Sequence, residues 1–297
     1  MSSQVDELPV QLTAPALEPL SAPEPQATVI VPPRGWQWID VAELWRFHEL
    51  IFFLAWRDVK VRYKQTIFGA AWAVFQPLLM MVVFTLFFNC MAGVSCGDLP
   101  YPLFAFAGFV PWTFFASAIA AGGNSVVGSE RLITKIYFPR LAIPFAAVGA
   151  SAVDFLIAFA LLLVLMACYG IPFGAGLVLV PLAFGFILLA GLGVGTLLAA
   201  LNVSYRDFRY VIPFLVQVWM FATPTVYMQP ASASSGWLWA ALSVNPLTGL
   251  IGTFRAATLG GPVPWGQFTI AALLAIGVFM AGCFYFRRVE DAFPDII

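Results

Sequence analysis

Residues 141–205 read LAIPFAAVGASAVDFLIAFALLLVLMACYGIPFGAGLVLVPLAFGFILLAGLGVGTLLAALNVSY and carry a single charge, Asp154. A soluble protein could not leave such a length uncharged, because most of its surface would then be greasy. A protein whose solvent is lipid must do so. The run is broken by Gly170-Ile171-Pro172-Phe173-Gly174, so it divides into two helices, about residues 141–169 and 177–201. Each exceeds the roughly 20 residues needed to cross about 30 Å of hydrocarbon.

The same reading extends outward. Residues 65–97 are uncharged and predict a span near 69–92; residues 99–129 are uncharged and predict one near 103–126. Residues 210–254 supply a span near 211–228, and a last one, near 266–286, ends at Arg287-Arg288. The expected fold is therefore an all-α integral membrane protein with six transmembrane helices over residues 67–288. Between Lys64 and Arg287 only ten of 222 residues are charged. Composition agrees: 61% hydrophobic, 10% charged, mean hydropathy +0.91, well outside ordinary globular usage. A net charge of -1 and the absence of any broad basic face argue against nucleic acid as a partner. The first apolar run begins too late for a cleavable signal peptide, so the spans are expected to remain in the mature protein.

The first 33 residues hold seven Pro, four acids (Asp6, Glu7, Glu18, Glu24) and no base, and residues 1–35 are expected to be a disordered tail. From 41 to 63 the chain reads VAELWRFHELIFFLAWRDVKVRY, with Leu44, Phe47, Ile51, Leu54 and Val59 near helical spacing and charges between them. Its apolar core, Leu50–Trp56, is too short to span. Residues 36–66 are expected to form an amphipathic helix in the membrane interface, with Arg57, Lys60, Arg62 and Lys64 toward lipid headgroups. A buried helix of a small soluble domain is the alternative.

Orientation follows from the bases. With the N-terminus inside, thirteen of the fourteen Lys and Arg fall on the cytoplasmic side: Arg34, Arg46, and those in Arg57–Lys64, in the knots Glu130-Arg131-Lys135-Arg140 and Arg206-Asp207-Arg209, and at Arg287-Arg288. Both termini, including residues 289–297, are then cytoplasmic. Residues 229–264 are too long and apolar for a plain loop and predict two short re-entrant helices in the outer leaflet. Backbone of that kind must be buried against protein or line a cavity. Arg255, the one base left outside, stands in this segment and is the candidate exit gate. An amphipathic cap on the outer surface is the alternative.

Catalytic chemistry is missing. The chain has no GxxxxGK[ST], HExxH or GxSxG and no metal-type cysteine spacing, so neither a catalytic residue nor a metal site is expected. Its one histidine, His48, falls in the interfacial helix. A Cys90–Cys96 disulfide is conceivable in an oxidising periplasm. Asp154 stands about 20 Å along its helix at 1.5 Å per residue. An acid at that depth must face protein or water. It either lines or gates a path, or makes an interhelical hydrogen bond. Gly185, Gly191, Gly193 and Gly195 concentrate in the fourth span and predict close helix packing.

Three ordered motifs carry a likeness. Arg57-Asp58-Val59-Lys60-Val61-Arg62-Tyr63-Lys64-Gln65-Thr66, with Gly69, Trp72 and Gln76-Pro77, resembles the approach to the first membrane helix in permease subunits of type-2 ABC exporters for polysaccharides. Leu132-Ile133-Thr134-Lys135-Ile136-Tyr137-Phe138-Pro139-Arg140, followed by Asp154, is similar to their second signature. Asn202-Val203-Ser204-Tyr205-Arg206-Asp207 and Pro224-Thr225-Val226-Tyr227 resemble a third. The likeness covers about residues 40–290.

The resemblance implies a homodimer in the bacterial inner membrane that exports a lipid-linked polysaccharide, with O-antigen ahead of capsule or teichoic acid. It also implies two copies of a separate P-loop ATPase that bind ATP and Mg, with no cofactor in this chain. A chain lacking its own nucleotide motif needs such energy in trans. By the same resemblance Ser129–Arg140 is the coupling helix, with Ser129, Glu130, Arg131, Lys135 and Arg140 toward the ATPase. Sugar faces stack on aromatic rings without fixed hydrogen-bond demands. Phe84, Phe87 and Phe88 on the first span, with Trp219 and Tyr227 on the fifth, are therefore expected to line a conduit. Two rivals remain: an exporter of drug or free lipid with the same architecture, and an intramembrane enzyme of glycan assembly.

Overall fold

The computed structural model describes residues 41–64, 71–91, 99–133, 135, 138–225 and 244–293. The tail expected to be disordered, Asp98, Tyr227, the Cys90–Cys96 pairing and residues 229–243 of the re-entrant region lie outside what it describes. Among the described residues the regular structure is helical, apart from an isolated bridge at Leu99. In chain order the helices are α1 (Val41–Arg46), α2 (His48–Lys64), α3 (Ala71–Phe84, continuing as a π-helix over Thr85–Met91), α4 (Tyr101–Ser125), α5 (Glu130–Ile133), α6 (Ala142–Cys168), α7 (Val180–Ser204), α8 (Phe208–Ala222), α9 (Pro246–Leu259) and α10 (Trp265–Val289). By length and composition, four helical segments can cross a membrane: Tyr101–Ser125, Ala142–Cys168, Ala175–Ser204 and Trp265–Ala292. Val74–Phe88 and Phe208–Ala222 are shorter and apolar.

Local chemistry explains the boundaries. At the end of α6, Gly170 adopts φ 71°. The Ile171 N–H then donates to the Met166 carbonyl at 2.9 Å, and Gly170 donates to Ala167 at 3.2 Å. This left-handed turn satisfies the last carbonyls of α6, and glycine enters it without a Cβ penalty. At the start of α9 the Asn245 side chain accepts from the Leu247 N–H at 3.1 Å, with Pro246 in the first turn. In α3, Pro77 removes one backbone donor. Further on, the Thr85 hydroxyl donates to the Met81 carbonyl at 2.7 Å, where the helix widens into its π segment.

The bundle is built around α4. Of the central window of α4, 78% is buried, against 28–33% for the other three long segments. Helices α6, α7 and α9 pack on α4, and α10 lies against α7. Apolar helices gain little by leaving lipid for one another, so close backbone approach and van der Waals contact must hold them. The glycines of α7 supply two such faces. Gly195 meets Gly122 and Gly191 meets Ala118 on α4, whereas Gly193 meets the backbone of Phe279 on α10. Gly185 meets nothing within 4 Å.

Aromatic packing completes the interior. Phe155 stacks on Phe184 at 3.8 Å and 12°, and Phe114 stands edge-on to Phe184 at 4.9 Å. A second apolar cluster joins Val126, Ile133, Phe138 and Leu141 to Phe286 and Phe293. It closes the end of the bundle where α4 stops, α6 starts and α10 finishes.

Candidate functional site: a polar seam between three helices

Asp154 stands about 18 Å along α6, counting 1.5 Å per residue from Ala142. It is not alone there. Helix α2 packs along the first half of α6, with Ala55 beside Gly149. The last turn of α2 reaches the acid: the Arg62 guanidinium donates from Nη1 to one carboxylate oxygen, and the Tyr63 hydroxyl donates to the other. The carboxylate thus has a donor on each oxygen, in keeping with the cost of a lone acid in an apolar bundle. Burial, and then the hydrogen bond to Asp154, push the Tyr63 phenol well above its usual value.

Asp154 makes an interhelical contact and also lines a cavity. The cavity holds about 330 Å³ and is walled by Arg62, Tyr63, Gln76, Ser117 and Asp154, with Trp72 at one side. A second cavity of about 360 Å³ is walled by Arg57, Asp58, Arg62, Asn124, Ser125 and Ser129. Arg62 borders both. The Arg57 guanidinium holds Asp58 through Nε at 3.0 Å and Nη2 at 2.8 Å, and the Lys60 ammonium lies 5.5 Å over the Trp56 ring. Lys60, Arg62 and Lys64 are exposed. Among the described residues no cluster of His, Cys, Asp and Glu could hold a metal ion.

The expected coupling segment is less helical than a single helix over 129–140. A 3-10 turn, Val127–Ser129, leads into the four-residue α5. Ser129 closes that turn through its backbone N–H to Val126 at 3.0 Å, and no described hydrogen bond makes its hydroxyl a cap. Glu130, Arg131 and Lys135 are exposed. Arg140 turns inward instead, donating to the Glu290 backbone carbonyl. The Glu290 side chain pairs with Arg287 at 2.9 Å, and burial raises its carboxyl above the usual range.

At the other end of the bundle Arg255 projects from α9. Its guanidinium carbon sits 3.8 Å over the Phe104 ring, and Nη2 donates to the Thr225 carbonyl at 2.6 Å. A methyl on Gly108 would stand 2.2 Å from both Arg255 Nη2 and the Thr225 oxygen. Arg255 thus ties the chain just past α8 to α4. Trp219 serves the same region: its indole N–H donates to Asn245 Oδ1 at 3.1 Å, and its ring stands edge-on to Phe115 at 5.1 Å.

The three Phe side chains of the first span do not share one face. Phe84 and Phe88 stack at 5.8 Å, and Phe84 also meets Phe109 at 5.0 Å. Phe87 points away and is exposed, because the π segment changes the angular step per residue at this point. Sequence reasoning also missed several partners: Tyr63 and Arg62 for Asp154, Asn202 donating to the Gly123 carbonyl at 2.9 Å, and Phe293 in the end cluster. The one available signal was Asn202, a carboxamide near the end of an apolar helix.

A bundle of long apolar helices has the build of a multi-pass membrane protein. The chain belongs to the ABC-2 type transporter family, whose model matches residues 49–259. It is 30% identical over 260 residues to the O-antigen export system permease protein RfbA of Myxococcus xanthus, covering 85% of this chain and 97% of that one. It is 26% identical over 254 residues to the protein of the same name in Klebsiella pneumoniae, covering 84% and 95%. It is 19% identical over 242 residues to the polysialic acid transport protein KpsM of Escherichia coli, covering 80% and 92%.

Proposed function

We propose that this chain is the membrane-spanning permease subunit of an ATP-driven exporter that moves a lipid-linked polysaccharide, O-antigen first among the candidates, across the inner membrane. The observation that carries this reading is 30% identity across nearly the full length of a relative named as an O-antigen export permease. The geometry suits it. The exposed Glu130, Arg131 and Lys135 offer charges to a partner at the end of the bundle opposite Arg255. The basic end of α2 brings Arg57 and Arg62 to the walls of a polar seam, with Lys60 and Lys64 exposed on the same helix.

In this reading six helices span the membrane, α3 with its π segment and α8 being the short pair. Both termini are cytoplasmic, and α2 lies at the inner interface. Two copies of the chain pair with two P-loop ATPase subunits, which bind ATP and Mg. Closure of the ATPases pushes on the loop at 129–140. Because Ile133 and Phe138 of that loop share one apolar cluster with Val126, Leu141 and Phe286, and Arg140 bonds the Glu290 carbonyl, the push reaches α4, α6 and α10 together. The exposed Phe87 is the first-span ring best placed to meet a passing glycan, while Phe84, Phe88 and Trp219 hold the wall in shape. Arg255 holds the segment after α8, where Tyr227 and the remainder of the re-entrant region follow, and so controls the exit by fixing it.

Reconstitution tests the reading. The chain is co-purified with a candidate P-loop ATPase subunit and placed in vesicles loaded with a lipid-linked glycan. Glycan is expected to cross only with ATP and both subunits present. Sugar transfer catalysed by the purified chain alone would sink it in favour of an assembly enzyme. Movement of a drug or free lipid, with the glycan left behind, would redirect it to the other rival.

A further inference from the structure

Arg62 stands between two cavities of different chemistry. On one side the walls offer Gln76, with its amide donors and acceptor, the Trp72 ring and two hydroxyls, Thr113 and Ser117. Those hydroxyls donate to the Val110 and Phe114 carbonyls at 3.1 and 2.9 Å, so toward the cavity they present acceptor lone pairs. An aromatic face beside mixed donors and acceptors, with the only acid already tied to Arg62 and Tyr63, suits a neutral polyol ring. On the other side the walls hold two guanidinium groups, Arg57 and Arg62, and one carboxylate, Asp58, which Arg57 already holds, with Asn124, Ser125 and Ser129. Arg62 and the polar groups around it are what this compartment offers an anion of several oxygens.

A guanidinium has five N–H donors. The described hydrogen bonds of Arg62 use one of them, toward Asp154, and its side chain is 37% exposed. Asp154 fixes one corner of the fork while leaving the rest toward the cavities. Tyr63 gives the acid a second donor, so it is not left without a partner if Arg62 turns toward a ligand.

We propose that this seam seats the sugar–phosphate junction of the lipid-linked glycan. Arg62 takes phosphate oxygens in the compartment of Ser125 and Ser129, and the first sugar ring lies against Trp72 and Gln76. The seat rests on the exporter reading for the identity of its ligand, and its test is binding, which does not require export.

Purified chain in detergent is titrated calorimetrically with farnesyl diphosphate, farnesol and inorganic pyrophosphate. Farnesyl diphosphate is expected to bind at least tenfold more tightly than either of the others. The double variant Arg62→Gln with Asp154→Asn keeps a neutral hydrogen-bonded pair across α2 and α6. It is expected to remain monodisperse and to lose at least tenfold in affinity. Ser129→Asp, which places an anion in the phosphate compartment without touching the pair, is expected to do the same. Gln76→Ala is expected to leave farnesyl diphosphate unaffected and to weaken a farnesyl diphosphate that carries one sugar. Native affinity in both the double variant and Ser129→Asp would overturn the seat. So would equal binding of farnesol, which marks an apolar tail site, or of pyrophosphate, which marks a free-phosphate site. If wild-type vesicles export glycan while these titrations fail, only the seat falls; if they do not export, the exporter reading falls.

Discussion

Gly282 has no side chain because there is no room for one: a methyl there would stand 2.1 Å from the Gly193 carbonyl oxygen and 2.9 Å from Thr196 Oγ1. Both neighbours belong to α7, and the carbonyl is backbone that cannot rotate aside. Gly282→Ala should therefore push α10 off α7 and cost about 1–3 kcal/mol, as overpacking usually does. Gly185→Ala is the control, since nothing lies within 4 Å and a mid-helix Gly-to-Ala change gains about 0.5–1 kcal/mol. Thermal unfolding of the two variants in the same detergent should move in opposite directions. The glycine row was legible as packing, but its division between two partners was not, because spacing within one helix does not reveal which neighbour each face meets. Asp154 shows the same limit. It was legible as the one acid in the long apolar run, while its partners lie 92 and 91 positions earlier on α2. Tyr63 makes that contact pH-dependent. Burial first, and then Asp154, raise its phenol above the usual value near 10, so the folded contact favours the protonated form. The contribution is whole below about pH 10 and is lost as the pH rises from there toward the folded value. Tyr63→Phe should flatten the loss of thermal stability between pH 9 and 11, and a slope unchanged from wild type would count against this contact.

Among the elements, α2 and the chain end after α10 act as braces. Helix α2 was legible from its amphipathic spacing as something other than a span. That it climbs along α6 instead of standing apart was not, because the contact depends on small residues such as Ala55 and Gly149 meeting across distant sequence. The C-terminal brace was wholly missed: from sequence, residues 289–297 read only as a cytoplasmic end. Yet Phe293 is fully buried, edge-on to Phe286 at 5.2 Å, in the same cluster as Ile133, Phe138 and Leu141. Arg140 adds its bond to the Glu290 carbonyl. The segment between α4 and α6 is thus held from below by the end of the chain. Phe293→Ala removes a ring whose loss typically costs about 3–5 kcal/mol in a core. Local opening of that segment should then become easier, since Phe293 is one of the largest fully buried side chains in the cluster that holds it. Amide hydrogen exchange over residues 126–143 should accelerate at least tenfold, with α7 unchanged. Equal acceleration in α7 would mean general destabilisation instead of a brace.

At the scale of the whole molecule, charge placement makes the strongest claim about how the chain lies in the bilayer. Thirteen of fourteen Lys and Arg can share one side only if the chain crosses between each knot, at Asp98, at the Gly170 turn and in the region of Arg255. Arg255, the exception, is engaged by Phe104 and the Thr225 carbonyl. A base held in this way need not obey the inside preference of free loop charges. The topology can be read directly by single cysteines in a background lacking Cys90, Cys96, Cys168 and Cys283. Lys135→Cys and Arg288→Cys sit at the expected inner face, and Gly174→Cys sits at the expected outer turn. A membrane-impermeant maleimide added to intact spheroplasts should label only Gly174→Cys, and inverted vesicles should label only the other two. Labelling of Lys135→Cys from outside would reverse the bundle. It would place the loop that is proposed to meet the ATPase on the side where there is no ATP, and would remove the exporter reading with it.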